Sequence, residues 1–248
     1  MDNLKRTALV TGGNRGLGEA ISRALHDAGH AVIITHTPGN RKVAAWLTTQ
    51  TNQGYNFVGY GVDVADFQST QDLAQQIHSD GRQVDILVNN AGITRDASLR
   101  KLDKANWDAV LRTNLDSMFN VTKPFIEPMM ERGWGRIVNI SSINGSKGQF
   151  GQTNYSAAKA GVHGFTKALA QEVARAGVTV NTVSPGYLAT EMVTTMREDV
   201  LARIVEAIPV GRLGQPDETA ALVAFIASEK AAFMTGSNIA MNGGQHMF

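Results

Sequence analysis

Two side chains in the stretch NYSAAKAG, residues 154–161, could work on one proton. Tyr155 and Lys159 stand four residues apart, so on a helix they share a face. A phenol with its ordinary pKa of about 10 is a poor acid at neutral pH. A neighbouring ammonium favours the phenolate and lowers that value, which makes a proton donor for a carbonyl oxygen turning into an alkoxide. The small residues around the pair leave room for a flat cofactor and a substrate. Ser142 stands upstream in ISSI (140–143), where a hydroxyl can hydrogen-bond the same oxygen. Asn114 lies within LRTNLDSMF (111–119), and a polar amide inside a helix is mildly unfavourable and wants a reason. Alone, Ser142 reads equally as a loop serine and Asn114 as a residue that bends a helix.

A second site is written near the start, in TGGNRGLGEA (11–20). Gly12, Gly16 and Gly18 are spaced G-x-x-x-G-x-G, with Asn14, Arg15 and Leu17 in the same loop. A strand, a glycine turn and a helix start make a diphosphate site: backbone N–H groups approach the phosphates and the helix N-terminus favours negative charge. A tight turn with no ligand is the bland alternative. An acidic residue at the end of the next strand would grip the ribose 2′-OH of NAD. This chain has Thr35-His36-Thr37 there, followed by PGNRK (38–42). Arg15, Arg41 and Lys42 could surround a 2′-phosphate instead, so NADP(H) is the expected cofactor. Arg41 and Lys42 could also be ordinary solvated charges opening a helix. Asp63 and Val64 follow the third strand, where an adenine edge could be read. Asn90, Ala91 and Gly92 follow the fourth, and small residues there would let the cofactor lie close over the sheet.

These residues need a scaffold that brings strand ends together. Short β-branched apolar runs recur at 7–11, 31–35, 57–62, 84–88, 136–140, 178–183 and 237–241, most of them bounded by Gly, Asn or Asp. Amphipathic stretches of helical length lie between them at 18–29, 70–81 and 155–177. Alternating strand and helix predicts an α/β fold: a parallel sheet with helices on both faces, and ligands outside the carboxyl ends of the strands. No linker or charge block divides the 248 residues, which predicts one domain over 1–248. The 23 basic and 22 acidic residues nearly cancel, which argues against a nucleic-acid or membrane-surface role driven by bulk charge. With no cysteine, disulfide and thiol chemistry are excluded. The start MDNLKRTALVTGG does not read as a signal peptide, and no apolar run reaches membrane-spanning length. The expectation is a soluble cytoplasmic protein. The histidines show no metal spacing, so no metal is expected.

TGGNRGLG, the DV of 63–64, the NNAG of 89–92, Asn114, Ser142, YSAAK and Pro185-Gly186 occur in the order that marks the short-chain dehydrogenase/reductase family, and the chain resembles it over essentially its whole length. The resemblance implies a single Rossmann-fold domain, doubly wound around a parallel sheet of seven strands, and usually a homotetramer. It implies a catalytic tetrad of Asn114, Ser142, Tyr155 and Lys159. Tyr155 would be the general acid, and Ser142 would orient the carbonyl. Lys159 would lower the tyrosine pKa and bind the nicotinamide ribose, and Asn114 would hold a water in a proton relay. Pro185 and Gly186 would join the cofactor site.

The segments NNAGITRDASLRKL, RGWGRIVNISSINGSKGQFGQTNYSAAKAG and TVSPGYLATEMV are similar to members that reduce acetoacetyl-CoA with NADPH. That branch implies a small acyl-CoA substrate and an (R)-3-hydroxyacyl-CoA product. Members that reduce 3-oxoacyl groups on acyl carrier protein share ITRD and the tetrad and are the alternative; a cofactor-binding regulator without catalysis is a more remote one. KGQFGQ (147–152) favours the CoA branch. Gln149, Phe150 and Gln152 are expected to shape a pocket for a short acyl thioester, with Tyr187 facing them and Asp96 at the edge of the cleft. Residues 187–212 are expected to form a lid over the substrate. His163, one turn beyond Lys159, is expected to pack against a neighbour rather than act as a base, and the terminal MNGGQHMF is expected at a subunit interface.

Overall fold

A computed structural model describes residues 5–247. Met1–Leu4, which open the stretch read as lacking a signal peptide, and Phe248 at the end of MNGGQHMF lie outside the described residues. Seven strands form one sheet: β1 Thr7–Val10, β2 Ala31–His36, β3 Phe57–Gly61, β4 Ile86–Asn89, β5 Gly135–Ile140, β6 Val178–Pro185 and β7 Asn238–Met241. Their order is β3-β2-β1-β4-β5-β6-β7, and every pairing is parallel. The order reverses between β1 and β4, so a crevice opens where the chain leaves these two strands in opposite directions.

The helices are α1 Gly16–Asp27, α2 Val43–Asn52, α3 Phe67–Ser79, α4 Lys104–Leu111, α5 Ser117–Glu131, α6 Asn144–Lys147, α7 Thr153–Val173, α8 Glu191–Thr194, α9 Glu198–Glu206 and α10 Pro216–Ile226. A π turn, Arg112–Asp116, joins α4 to α5. Side chains alternate across each strand, so the inner strands feed two cores. Ala8, Val10, Val32, Ile34, Val138 and Ile140 face Ile21 and Leu25 of α1 and Val223 and Ile226 of α10. Leu9, Ile33, Leu87, Ile137 and Val180 face Leu73 and Ile77 of α3, Val121, Phe125 and Met129 of α5, and Val173 of α7. Burial on both faces is why these strands read as continuous apolar runs. Each fully buried Leu or Ile contributes about 1.5–3 kcal/mol relative to exposure. A third, smaller cluster lies within the segment expected to be a lid: Val193, Ile208 and Leu213, with Tyr187, Met196, Leu201 and Ile204 packed on it.

Candidate active site

The glycine loop is built by close backbone approach. A Cβ on Gly18 would lie 2.2 Å from the carbonyl oxygen of Gly12 and 2.6 Å from Asn90 Nδ2. Gly12 and Gly16 have φ values of +62° and +51°, which glycine adopts without strain. The loop is tied to its neighbours. Gly12 N donates to Thr35 Oγ1 at 3.1 Å and Gly13 N to Thr35 O at 3.2 Å. Asn90 Nδ2 donates to Thr11 O at 2.9 Å, and Asn90 N and Ala91 N donate to Thr11 Oγ1 at 2.9 and 3.0 Å. Asn90 thus binds β1 to β4 across the crevice. Arg15 is the N-cap of α1, and no side chain caps its first turn. The first N–H groups of a helix have no partner within it, so a turn that no side chain caps among the described residues suits a diphosphate.

Arg15, Arg41 and Lys42 are exposed, and none forms an ion pair among the described residues. Lys42 caps α2, its backbone N held by Asn40 Oδ1 at 3.0 Å. Asp63 turns back on its own loop, its Oδ1 accepting from Ala65 N at 2.9 Å. The Val64 side chain is buried in the core and its carbonyl accepts from Asn120 Nδ2 at 3.1 Å, which leaves its backbone N–H as the group that could meet a base.

The four residues expected to do chemistry converge at the ends of β4 and β5 and the start of α7. Asn114 sits on the π turn, fully buried, and both ends of its amide are used: Oδ1 accepts from Ile93 N and Nδ2 donates to Ile93 O, each at 2.8 Å. The polar residue thus has its reason in binding the segment after β4. A Cβ on Gly92 would lie 3.3 Å from Asn114 Oδ1 and 3.7 Å from Lys159 Nζ, so these three groups share one small space. Lys159 is buried, and its Nζ donates to Ile140 O at 2.7 Å and lies 5.7 Å from the Tyr155 ring centre.

One of the small residues beyond the lysine serves packing: a Cβ on Gly161 would strike Leu115 of the π turn at 2.9 Å. Gly161 thus lets α7 lie close on the turn that carries Asn114.

Electrostatics differ from the expectation that Lys159 lowers the Tyr155 pKa. Burial pushes the Tyr155 phenol above its ordinary value; a hydrogen bond with Ser142 opposes the rise, and the Asp96 carboxylate and Tyr187 add to it. Burial also pulls Lys159 down to about 8. The Lys159 ammonium spends a hydrogen bond on the Ile140 carbonyl, and burial is the largest influence on the phenol. The raised value leaves the phenol protonated and, taken alone, a weaker acid than an unburied tyrosine. Tyr187 is pushed up as well, by burial and then by Asp96.

Around this centre, Gln152 Nε2 donates to Asp96 Oδ2 at 2.7 Å. Gln149 and Phe150 stand away from it. Phe150 is 90% exposed, and Gln149 Oε1 accepts from Lys147 Nζ at 3.3 Å. Gly148 and Gly151, with φ of +72° and +80°, turn this segment outward, so in this chain Phe150 walls no enclosed pocket. Pro185 ends β6, and Gly186 meets Asn242, where a Cβ would be 2.9 Å from the Asn242 Cα. Residues 242–246 fold back beside it, with Val210 N donating to Gly243 O at 3.1 Å. Thr190 lies 3.6 Å from a Cβ on Gly16, so the segment after β6 reaches over the glycine loop. His163 is partly buried against Ser184 Oγ at 3.3 Å, and burial lowers its pKa. Asn144 escaped the sequence reading. It is buried between Ser142 and Gln152, and only its place in the turn after β5 pointed to it. Among the described residues, no three His, Asp or Glu side chains gather as a metal ion would require, and no helix is long and apolar enough to cross a membrane.

The short chain dehydrogenase family model matches residues 6–201. An acetoacetyl-CoA reductase of Cupriavidus necator is 55% identical over 243 residues, covering 98% of this chain and 99% of the relative. Nodulation protein G of Azospirillum brasilense is 54% identical over 97% of this chain and 98% of its own length. A 3-oxoacyl-[acyl-carrier-protein] reductase of Haemophilus influenzae is 43% identical over 98% of both. The chain belongs to the short-chain dehydrogenase family.

Proposed function

We propose that this short-chain dehydrogenase is an NADPH-dependent acetoacetyl-CoA reductase, which converts a short 3-oxoacyl-CoA to the (R)-3-hydroxyacyl-CoA. The observation that carries the reading is the convergence of Ser142, Tyr155, Lys159 and Asn114 beside an uncapped helix start and a glycine cradle. The names of the relatives supply the substrate: 55% identity to an acetoacetyl-CoA reductase stands against 43% to a carrier-protein reductase. The geometry fits a dinucleotide. Gly12, Asn14, Arg15, Gly16, Leu17 and Gly18 would hold its diphosphate. Arg15, Arg41 and Lys42 would hold a 2′-phosphate. Asp63 and the Val64 backbone would border the adenine. Asn90, Ala91, Gly92, Tyr155, Lys159, Pro185 and Gly186 would border the nicotinamide half. The chemistry such a dinucleotide supplies when bound is a hydride for the C3 carbonyl carbon.

The chain does the rest. Ser142 donates a hydrogen bond to the substrate oxygen and fixes it near the phenol. Tyr155 gives its proton to that oxygen as negative charge develops and makes the oxygen basic enough to take it. The Lys159 ammonium offsets the charge left on the tyrosine, a preorganised effect in a site shielded from water. Asp96, Gln152 and Tyr187 border the acyl thioester, with Gln149 and Phe150 at the outer rim. Residues 187–212 serve as the lid, and the protein works as a cytoplasmic homotetramer.

The test is the ratio of kcat/KM for acetoacetyl-CoA to that for acetoacetyl carrier protein, with NADPH and with NADH. The reading expects the CoA thioester and NADPH to be favoured. Preference for the carrier-protein thioester would assign the chain to fatty acid synthesis instead, and preference for NADH would remove the 2′-phosphate role of Arg15, Arg41 and Lys42.

A further inference from the structure

We infer that Asn144 is a positioning residue for the reaction: with Gln152 and Asp96 it clamps the turn that carries Ser142 onto the first turn of α7, and so sets the Ser142 hydroxyl against the Tyr155 phenol. The inference rests on the ketoreductase reading of the site.

Ser142 and Tyr155 come from different elements. Ser142 lies on the turn after β5, and Tyr155 lies on α7 beyond the outward-turned segment 148–151. Something must hold the two at a fixed separation, because a misplacement near 1 Å costs on the order of a hundredfold in rate. Three contacts dock the turn on α7. Ser141 Oγ donates to Lys159 O at 2.8 Å. Gly145 lies so close that a Cβ there would be 2.8 Å from the Lys159 carbonyl carbon. Asn144 Nδ2 donates to Gln152 Oε1 at 2.9 Å.

The third contact has a direction. Asp96 Oδ2 can only accept, so it fixes the Gln152 amide with Nε2 towards it, at 2.7 Å, and Oε1 towards Asn144. At the other end, Asn144 N donates to Ser142 Oγ at 3.2 Å, which ties the hydroxyl to the same residue. The chain thus runs Asp96, Gln152, Asn144, Ser142, from the cleft edge to the hydroxyl.

Stability alone does not account for an asparagine here. Asn144 is 7% exposed, and its Oδ1 is shut off from solvent and meets no donor among the described residues. A buried acceptor without a donor is unfavourable, and an apolar side chain of similar size would not carry that cost. The chain keeps the amide although half of it is unsatisfied, and the satisfied half makes the link to Gln152.

The experiment compares Asn144→Ala, Ser142→Ala and the double variant in acetoacetyl-CoA reduction with NADPH. Asn144→Ala should lower kcat about tenfold while KM stays within about twofold, because geometry is lost and binding is not. It should melt at or near the wild-type temperature. In the Ser142→Ala background it should cost almost nothing more, because it acts through the missing hydroxyl. Gln152→Ala cuts the same link from the cleft side and should lower kcat alike, with a rise in KM added because Gln152 also borders the acyl thioester. Should Asn144→Ala fail to fold, Gln152→Ala and its double with Ser142→Ala decide by the same criterion. An unchanged kcat, or an undiminished further loss in the Ser142→Ala background, overturns the inference. A wild-type protein that reduces no 3-oxoacyl thioester would sink the parent reading instead, and the two failures are distinct.

Discussion

At the residue scale, the site works by desolvation. Tyr155 and Lys159 are both shifted by burial towards their neutral forms, the phenol upward and the ammonium down to about 8. In the proposed reaction neutral Tyr155 donates the proton, and charged Lys159 steadies the phenolate left behind. The lysine is charged below its pKa, so reduction should proceed below about 8 and fall as pH rises through that value. The profile of kcat/KM reports the free enzyme, the state in which these shifts occur. An alkaline limb near the ordinary lysine value of 10.5 would contradict a desolvated Lys159. The four-residue spacing was legible in the sequence, and so was a shared face. The sign of the tyrosine shift was not, because spacing says nothing of depth, and burial is the largest cause of the shift.

At the scale of elements, glycines decide how near two segments come. Gly18 lets the first turn of α1 touch the glycine loop, with 2.2 Å between a built Cβ and the Gly12 oxygen. Gly18→Ala should therefore lower both the melting temperature and NADPH affinity, read by thermal denaturation and by fluorescence titration. Gly164→Ala on α7, where a Cβ meets nothing within 4 Å, should spare affinity and raise helix stability by about 0.5–1 kcal/mol. Normal NADPH affinity in Gly18→Ala would contradict the cradle. Strand positions were readable to within a residue or two because the inner strands are buried on both faces and their β-branched apolar residues cluster between turn residues. Helix starts were less so. α3 begins at Phe67, not Thr70, because Asp66 caps it through Ser69 N at 2.7 Å, and the D-x-x-S spacing was the overlooked signal. The π turn at 112–116 has no sequence signature apart from the misplaced polarity of Asn114. Phe150 was placed on the substrate side by its position between Ser142 and Tyr155, and position does not show that Gly148 and Gly151 leave its ring in solvent.

At the scale of the whole molecule, one parallel sheet brings distant segments to a single edge. Residues 12–18, 90–96, 142–152 and 185–190 leave the carboxyl ends of β1, β4, β5 and β6, and two cores, one on each face, keep those ends in register. That convergence was foreseeable from alternating strands and helices. The depth of the Asn144 link was not, since it needs a turn after β5 to meet the start of α7 across a loop. Because the scaffold is independent of the phenol, the chemistry can be removed without the fold. The most direct measurement is turnover of acetoacetyl-CoA with NADPH by the wild type and by Tyr155→Phe, with NADPH binding titrated in both. Loss of roughly 10²–10⁴-fold in kcat with NADPH affinity unchanged is the expected result for a missing general acid. Near-normal turnover by Tyr155→Phe would contradict the assignment of the proton to Tyr155.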